Sequence, residues 1–139
     1  MNSRSLAVVA PMLFALSITA DAAGLAINPG LWETTMTRSN SLTGEETTET
    51  TTRCVKETEF DPSDMVQNGQ GCELVENNLD GDMLTFRMEC NMQGSEAAVD
   101  GLFQTDGQTG KGKMDMTMGM GEIKMTMNMN WTSTRLGDC

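Results

Sequence analysis

The stretch KMDMTMGMGEIKMTMNMNW, residues 113–131, decides the fold. Met114, Met116, Met118 and Met120 alternate with Lys113, Asp115, Thr117 and Gly119; after Gly121-Glu122 the alternation resumes with Ile123, Met125, Met127, Met129 and Trp131. A strand turns successive side chains to opposite faces, so this pattern puts thioethers and an indole on one face and polar groups on the other. A two-residue loop with glycine first suits a type II′ turn, which Gly121-Glu122 supplies. The hairpin so formed faces Met120 with Ile123, Met118 with Met125, Met116 with Met127, Met114 with Met129 and Gly112 with Trp131. A three-residue loop would break these facings, because a slip of one residue exchanges the two faces.

Outward from this hairpin the chain reads as further strands. Asp106-Gly107-Gln108-Thr109-Gly110 is a turn, preceded by a strand over Glu96 to Gln104 with Val99, Gly101 and Phe103 aligned. Met83 to Met92 places Leu84, Phe86, Met88, Cys90 and Met92 on one face, and Cys72 to Glu76 is a short strand. Asn77 to Asp82 is rich in turn residues. Glu57 to Gln67 holds the one helical signal, with Pro62 placed for a first turn and Gly69 and Gly71 after it. Earlier still, Leu31 to Arg38 has strand composition with Trp32, Thr34 and Met36 sharing a face. Glu46 to Val55 is almost solid threonine, β-branched and strand-prone. A glycosylated or disordered stalk is the other reading of such a run, but it contains no proline and ends on Cys54. About seven strands at turn spacings of roughly 8 to 12 residues predict an all-β antiparallel meander, curved into a half-barrel or sandwich, with one short helix near residues 61–67.

The first residues have a different character. Met1 to Arg4 carry a positive charge, Leu6 to Ile18 are largely apolar, and Ala20-Asp21-Ala22 offers small residues where a signal peptidase reads. A signal peptide over residues 1–22 is expected, followed by a single exported domain over 23–139. The alternative is a retained anchor, but the apolar run is short for a span and no later segment approaches the ~20 apolar residues required. Arg4 and Asp21 leave together, so the mature chain keeps the net charge of −11. Phosphate partners are held by Lys and Arg, so this acidity argues against nucleic acid and anionic lipid surfaces.

Cys54, Cys72, Cys90 and Cys139 form an even set, which in an exported chain implies two disulfides with three possible connectivities. The favoured pairing is Cys54 with Cys72 across a long connection and Cys90 with Cys139 at the tail, worth roughly 3 and 4 kcal/mol in chain entropy. No spacing is C-x-x-C and the chain has no histidine, which leaves zinc and thioredoxin-like chemistry unsupported. The Asn77 to Asp82 cluster lacks the spacing and terminal glutamate of a calcium loop. The Gly107 to Lys113 run lacks the Ser or Thr, the glycine spacing and the following helix of a phosphate loop.

Taken together, Pro29-Gly30-Leu31-Trp32-Glu33 just after a signal peptide, then Cys54, Cys72 and Cys90, a late Met-x-Met run ending in Trp131, and Cys139 resemble a family of exported bacterial proteins catalogued as domain of unknown function 3617. The resemblance covers essentially the whole mature chain. It implies export and a compact cysteine-bearing domain, and it supplies no reaction or catalytic residues.

The residues themselves point away from an enzyme. His and Tyr are absent, the acids fall mainly in loops or on polar strand faces, and oxidised cysteines leave no nucleophile beside a base. The expected role is non-enzymatic: binding, to a protein or a small apolar ligand, or service as a structural envelope component, in the periplasm or outside the cell. Two alternatives follow from the methionines. Soft thioether sulfur suits Cu(I) or Ag(I), with Met116, Met118, Met125 and Met127 the best-placed quartet; a curved methionine-lined sheet could instead carry an apolar molecule or dock a protein segment. Against both stands methionine's use as an adaptable core filler. Beyond the signal peptide the aromatics are Trp32, Trp131, Phe60, Phe86 and Phe103, which makes the hairpin the expected central wall of the core, with no cofactor required.

Overall fold

The computed structural model describes residues 24–67 and 71–139; the expected signal peptide lies outside them. Among the described residues the strands are β1 (Leu25–Ala26), β2 (Gly30–Asn40), β3 (Glu46–Val55), β4 (Glu59–Phe60), β5 (Cys72–Asp80), β6 (Met83–Met92), β7 (Ser95–Thr105), β8 (Thr109–Met120) and β9 (Ile123–Gly137), with one helix, α1 (Ser63–Gln67). Seven of them form one antiparallel sheet in the order β3-β2-β9-β8-β7-β6-β5, and β1 pairs with β4 in a two-stranded ribbon. The fold is all-β as expected, and the main sheet is not closed into a barrel.

The methionine hairpin is β8 and the start of β9, with every expected facing in place, Met116 opposite Met127 among them. Gly121 has φ +62° while Glu122 stays out of the positive region, as a type II′ turn requires. Gly81-Asp82 repeats the device between β5 and β6, and Gln93-Gly94, both at positive φ, makes the type I′ equivalent between β6 and β7. The threonines of β3 form a strand, as expected: Thr35 and Thr37 pair their hydroxyls with Thr50 and Thr48 across the β2–β3 ladder. Between β7 and β8, the Asp106 carboxylate accepts from the amides of Thr109 and Gln108 and from the Thr109 hydroxyl. These bonds hold it below the usual carboxylate range.

Several expectations need correction. β5 runs through the Asn-Asp cluster to Asp80 and turns only at Gly81-Asp82, and β9 continues six residues past Trp131 to Gly137. Among the described residues the second sheet is the β1–β4 ribbon alone. The disulfides are Cys54–Cys139 and Cys72–Cys90, not the pairing favoured above. The cause is register. Residue Val75 bulges out of β5, shifting the ladder so that Cys72 faces Cys90 directly. At the other edge, Cys54 of β3 lies opposite Leu31 of β2, which lies opposite Gly137 of β9, so the tail crosses the end of β2 to meet Cys54.

Sheet order also determines what covers the inner face. β3 and β5 are opposite edges, so the connection between them must cross the sheet, and it does so on the methionine side. Phe60 and Val66 on this connection pack against the buried cluster of Phe86, Met88 and Val99, together with Leu74, Phe103, Met114 and Met116. The buried hydrophobic core among the described residues is Leu25, Trp32, Leu84, Phe86, Met88 and Val99, and Leu84 and Pro62 are fully buried. The hairpin therefore stands at the centre of the sheet but borders the core: its methionines are half-buried or exposed, and Met118, Met125, Met127 and Met129 lie outside the buried cluster. Large buried side chains gather under the crossing connection because only there does a second layer exist to remove them from water.

Candidate functional site

Two glycines prepare the site. Gly110 and Gly112 occupy inner-face positions of β8, opposite Ser133 and Trp131 of β9. A side chain at Gly112 would put its Cβ 2.1 Å from Trp131 Cζ2, so the indole lies across β8 in the space that glycine leaves. At Gly110 the nearest atoms to such a Cβ are at 3.7 to 4.0 Å, Trp32 Cζ3 among them, and nothing fills the trough. A cavity of about 470 Å³ opens there, within the size range of small-molecule sites. Its lining draws on β3, β2, β9, β8 and β7 together, which requires the sheet to bend around it.

The walls are mostly aromatic and aliphatic. Trp32, Trp131 and Met36 lie on the sheet side, Phe103 and Phe60 form the wall toward the core, and Leu25, Ile27 and Val55 close the end. The rings are mutually braced: Phe103 meets Trp131 edge-on at 4.8 Å and Phe60 at 4.5 Å between centroids, and Phe60 continues to Phe86 at 6.2 Å. Trp32 Nε1 donates to the Asn28 carbonyl at 2.9 Å, and the Thr34 and Ser133 hydroxyls bond each other at 2.7 Å. The polar atoms of Trp32, Thr34 and Ser133 are thus satisfied within the protein and leave their apolar parts to a guest. Arg53, exposed on β3 and directly opposite Trp32, contributes the charged group of the inner-face rim.

The thioether quartet is brought together as two neighbouring facing pairs, Met116 with Met127 and Met118 with Met125. Met116 packs against the core cluster, and the Met125 sulfur accepts a long hydrogen bond of 3.7 Å from Asn40 Nδ2. These four side chains could offer sulfur to a soft cation. Among the described residues no group of three or more His, Cys, Asp or Glu is arranged to hold a metal ion, and all four cysteines are in disulfides.

Ionisable groups with displaced pKa values lie elsewhere. Burial tends to raise the Asp115 carboxyl, but Asn128 and Lys113 outweigh it and hold it low. Arg87 is raised by its hydrogen bonds to Asp100 and Glu89, and Glu57 is lowered by its own amide and that of Lys56. Asp115 and Arg87 are on the outer face, Glu57 and Asp106 in connections, and none lines the cavity.

Sequence reasoning named the methionines and missed the cavity. Gly110 reads as a turn residue and Gly112 as the hairpin position facing Trp131, and the alternation of both in phase with Met114 to Met120 was the available signal that they share the apolar face. Among the described residues no helix is long and apolar enough to cross a membrane. The model of a family described as protein of unknown function (DUF3617) matches residues 27–139. No curated protein matches the chain.

Proposed function

The chain belongs to the DUF3617 family, whose description assigns no reaction, and from that premise we propose an exported, non-enzymatic binding domain that receives an apolar molecule between Trp32 and Trp131. The observation that carries this reading is the unfilled trough over Gly110, with aromatic walls and with the polar atoms of Trp32, Thr34 and Ser133 satisfied internally. Met36 continues the apolar surface from the cavity toward the half-buried methionines of β9, and thioether surfaces adapt to guests of varied shape.

The test fills the trough. Gly110→Val projects methyl groups toward Trp32 from a position with ordinary clearance. The neutral fluorophore N-phenyl-1-naphthylamine is expected to bind the wild-type protein and quench Trp32 and Trp131, and Gly110→Val to weaken it at least about tenfold while cooperative unfolding is retained. Unchanged binding by a folded Gly110→Val protein refutes the cavity as the site.

The quartet register favours a second reading, Cu(I) or Ag(I) binding. On it, one Ag(I) binds per chain, and a folded variant with Met116, Met118, Met125 and Met127 all changed to leucine loses it. Equal Ag(I) binding by the two proteins ends this reading.

A further inference from the structure

Charge is distributed unevenly between the two faces of the main sheet. The chain carries 20 acids against 9 bases, yet the inward positions of the seven strands hold three arginines, Arg38, Arg53 and Arg135, and one carboxylate, Glu49. The outward positions take Glu33, Glu76, Glu89, Asp100 and Asp115 among others. Among the described residues no carboxylate lines the cavity.

The three inner arginines are not equivalent. Arg135 is engaged by the Pro29 carbonyl and Asp138, and Arg38 Nε donates to the Met36 sulfur at 3.2 Å. Arg53 has no hydrogen bond or ion pair to any described residue, although it stands at the cavity opposite Trp32. Glu57 lies close enough to feel its charge, but the Glu57 carboxylate bonds the Lys56 amide instead. Glu49 lies two inward positions along β3, opposite Met36. An acidic chain that places beside an apolar cavity a guanidinium with its hydrogen-bond donors uncommitted to any described residue has a surface complementary to an anion with an apolar tail.

Resting on the apolar-cavity reading above, we propose that the ligand is a single-chain carboxylate amphiphile, its chain against Trp32, Trp131, Phe103 and Met36 and its carboxylate on Arg53. One guanidinium can hold one carboxylate through two parallel hydrogen bonds. The arrangement selects the head by charge and leaves the tail to shape and apolar contact, so chains of differing length are accommodated.

The experiment displaces N-phenyl-1-naphthylamine from the disulfide-bonded protein at neutral pH with three amphiphiles of equal chain length: decanoate, decanol and decyltrimethylammonium. Decanoate is expected to bind about tenfold more tightly than decanol, as a partly exposed charge-assisted hydrogen bond supplies, and the cation more weakly than either. Arg53→Gln should remove about tenfold of decanoate affinity and leave decanol unchanged, with Arg53→Lys restoring part of the loss. Equal displacement by decanoate and decanol, or a decanoate affinity indifferent to Arg53→Gln, overturns the carboxylate proposal while the apolar site stands. Fluorophore binding with displacement by none of the three overturns the carboxylate proposal alone, and failure of the protein to bind the fluorophore overturns both.

Discussion

Replacing Cys54 and Cys139 together by serine lowers stability by about 4.5 kcal/mol, against about 3 kcal/mol for the Cys72 and Cys90 pair, on chain-entropy grounds. The difference follows from sequence separations of 85 and 18 residues, since a cross-link that closes a longer loop removes more freedom from the unfolded chain. Position adds to the effect. The β2–β3 hairpin joins the rest of the main sheet only through the β2–β9 ladder, and the Cys54–Cys139 bond spans the end of β2 to fasten both of its neighbours. Denaturant titrations of the wild type and the two serine pairs, fitted with their m-values, measure this directly. A larger loss from the Cys72 and Cys90 pair would contradict the assignment of the greater constraint to the long loop.

The second large effect is in the core at Phe86. Phe86 is 3% exposed and central to the buried cluster, and Phe86→Ala should cost about 3–5 kcal/mol through lost burial and the void left behind. Its neighbour across the ladder is Gly101, where a Cβ would come within 2.2 Å of Phe86 Cε1. Gly101→Ala alone therefore overpacks the ring and should cost about 1–3 kcal/mol. In the double variant the clash no longer exists, so the pair should cost little more than Phe86→Ala by itself. A double-mutant cycle reads this as coupling of about 1–3 kcal/mol; strict additivity would mean that the glycine is not there to admit the ring.

The features legible in the sequence were those set by local period and turn chemistry. The hairpin from Lys113 to Trp131 could be registered residue by residue because alternation and a Gly-first turn constrain the same pairing. The seven strands and the helix after Pro62 were readable on the same grounds. What escaped depends on contacts far apart in the chain or on residues that break the period. Asn77, Asn78 and Asp80 have turn-like chemistry yet lie in β5, where pairing with β6 overrides weak strand preference. The Val75 bulge reverses the alternation between them and Cys72, which hid the facing of Cys72 with Cys90. Pairing of β2 with β9 joins residues about a hundred positions apart, and β1 and β4, at two residues each, are too short to show a period. The cavity escaped because a glycine that makes room for a ring looks the same in sequence as a glycine that makes a turn.

The two disulfides are nested, one enclosed within the loop of the other, and this sets an order of events for a chain made from its N-terminus. Cys54 is present while Cys72 and then Cys90 emerge, and its partner Cys139 follows both. Oxidation in order of appearance would join Cys54 to Cys72 and strand Cys90 with Cys139. The native pairing is reached by direct closure only when the β5–β6 hairpin forms first and takes Cys72 and Cys90 out of circulation, leaving Cys54 to wait for β9. The turn at Gly81-Asp82 and the bulge at Val75 thereby act as a proofreading device for the longer bond.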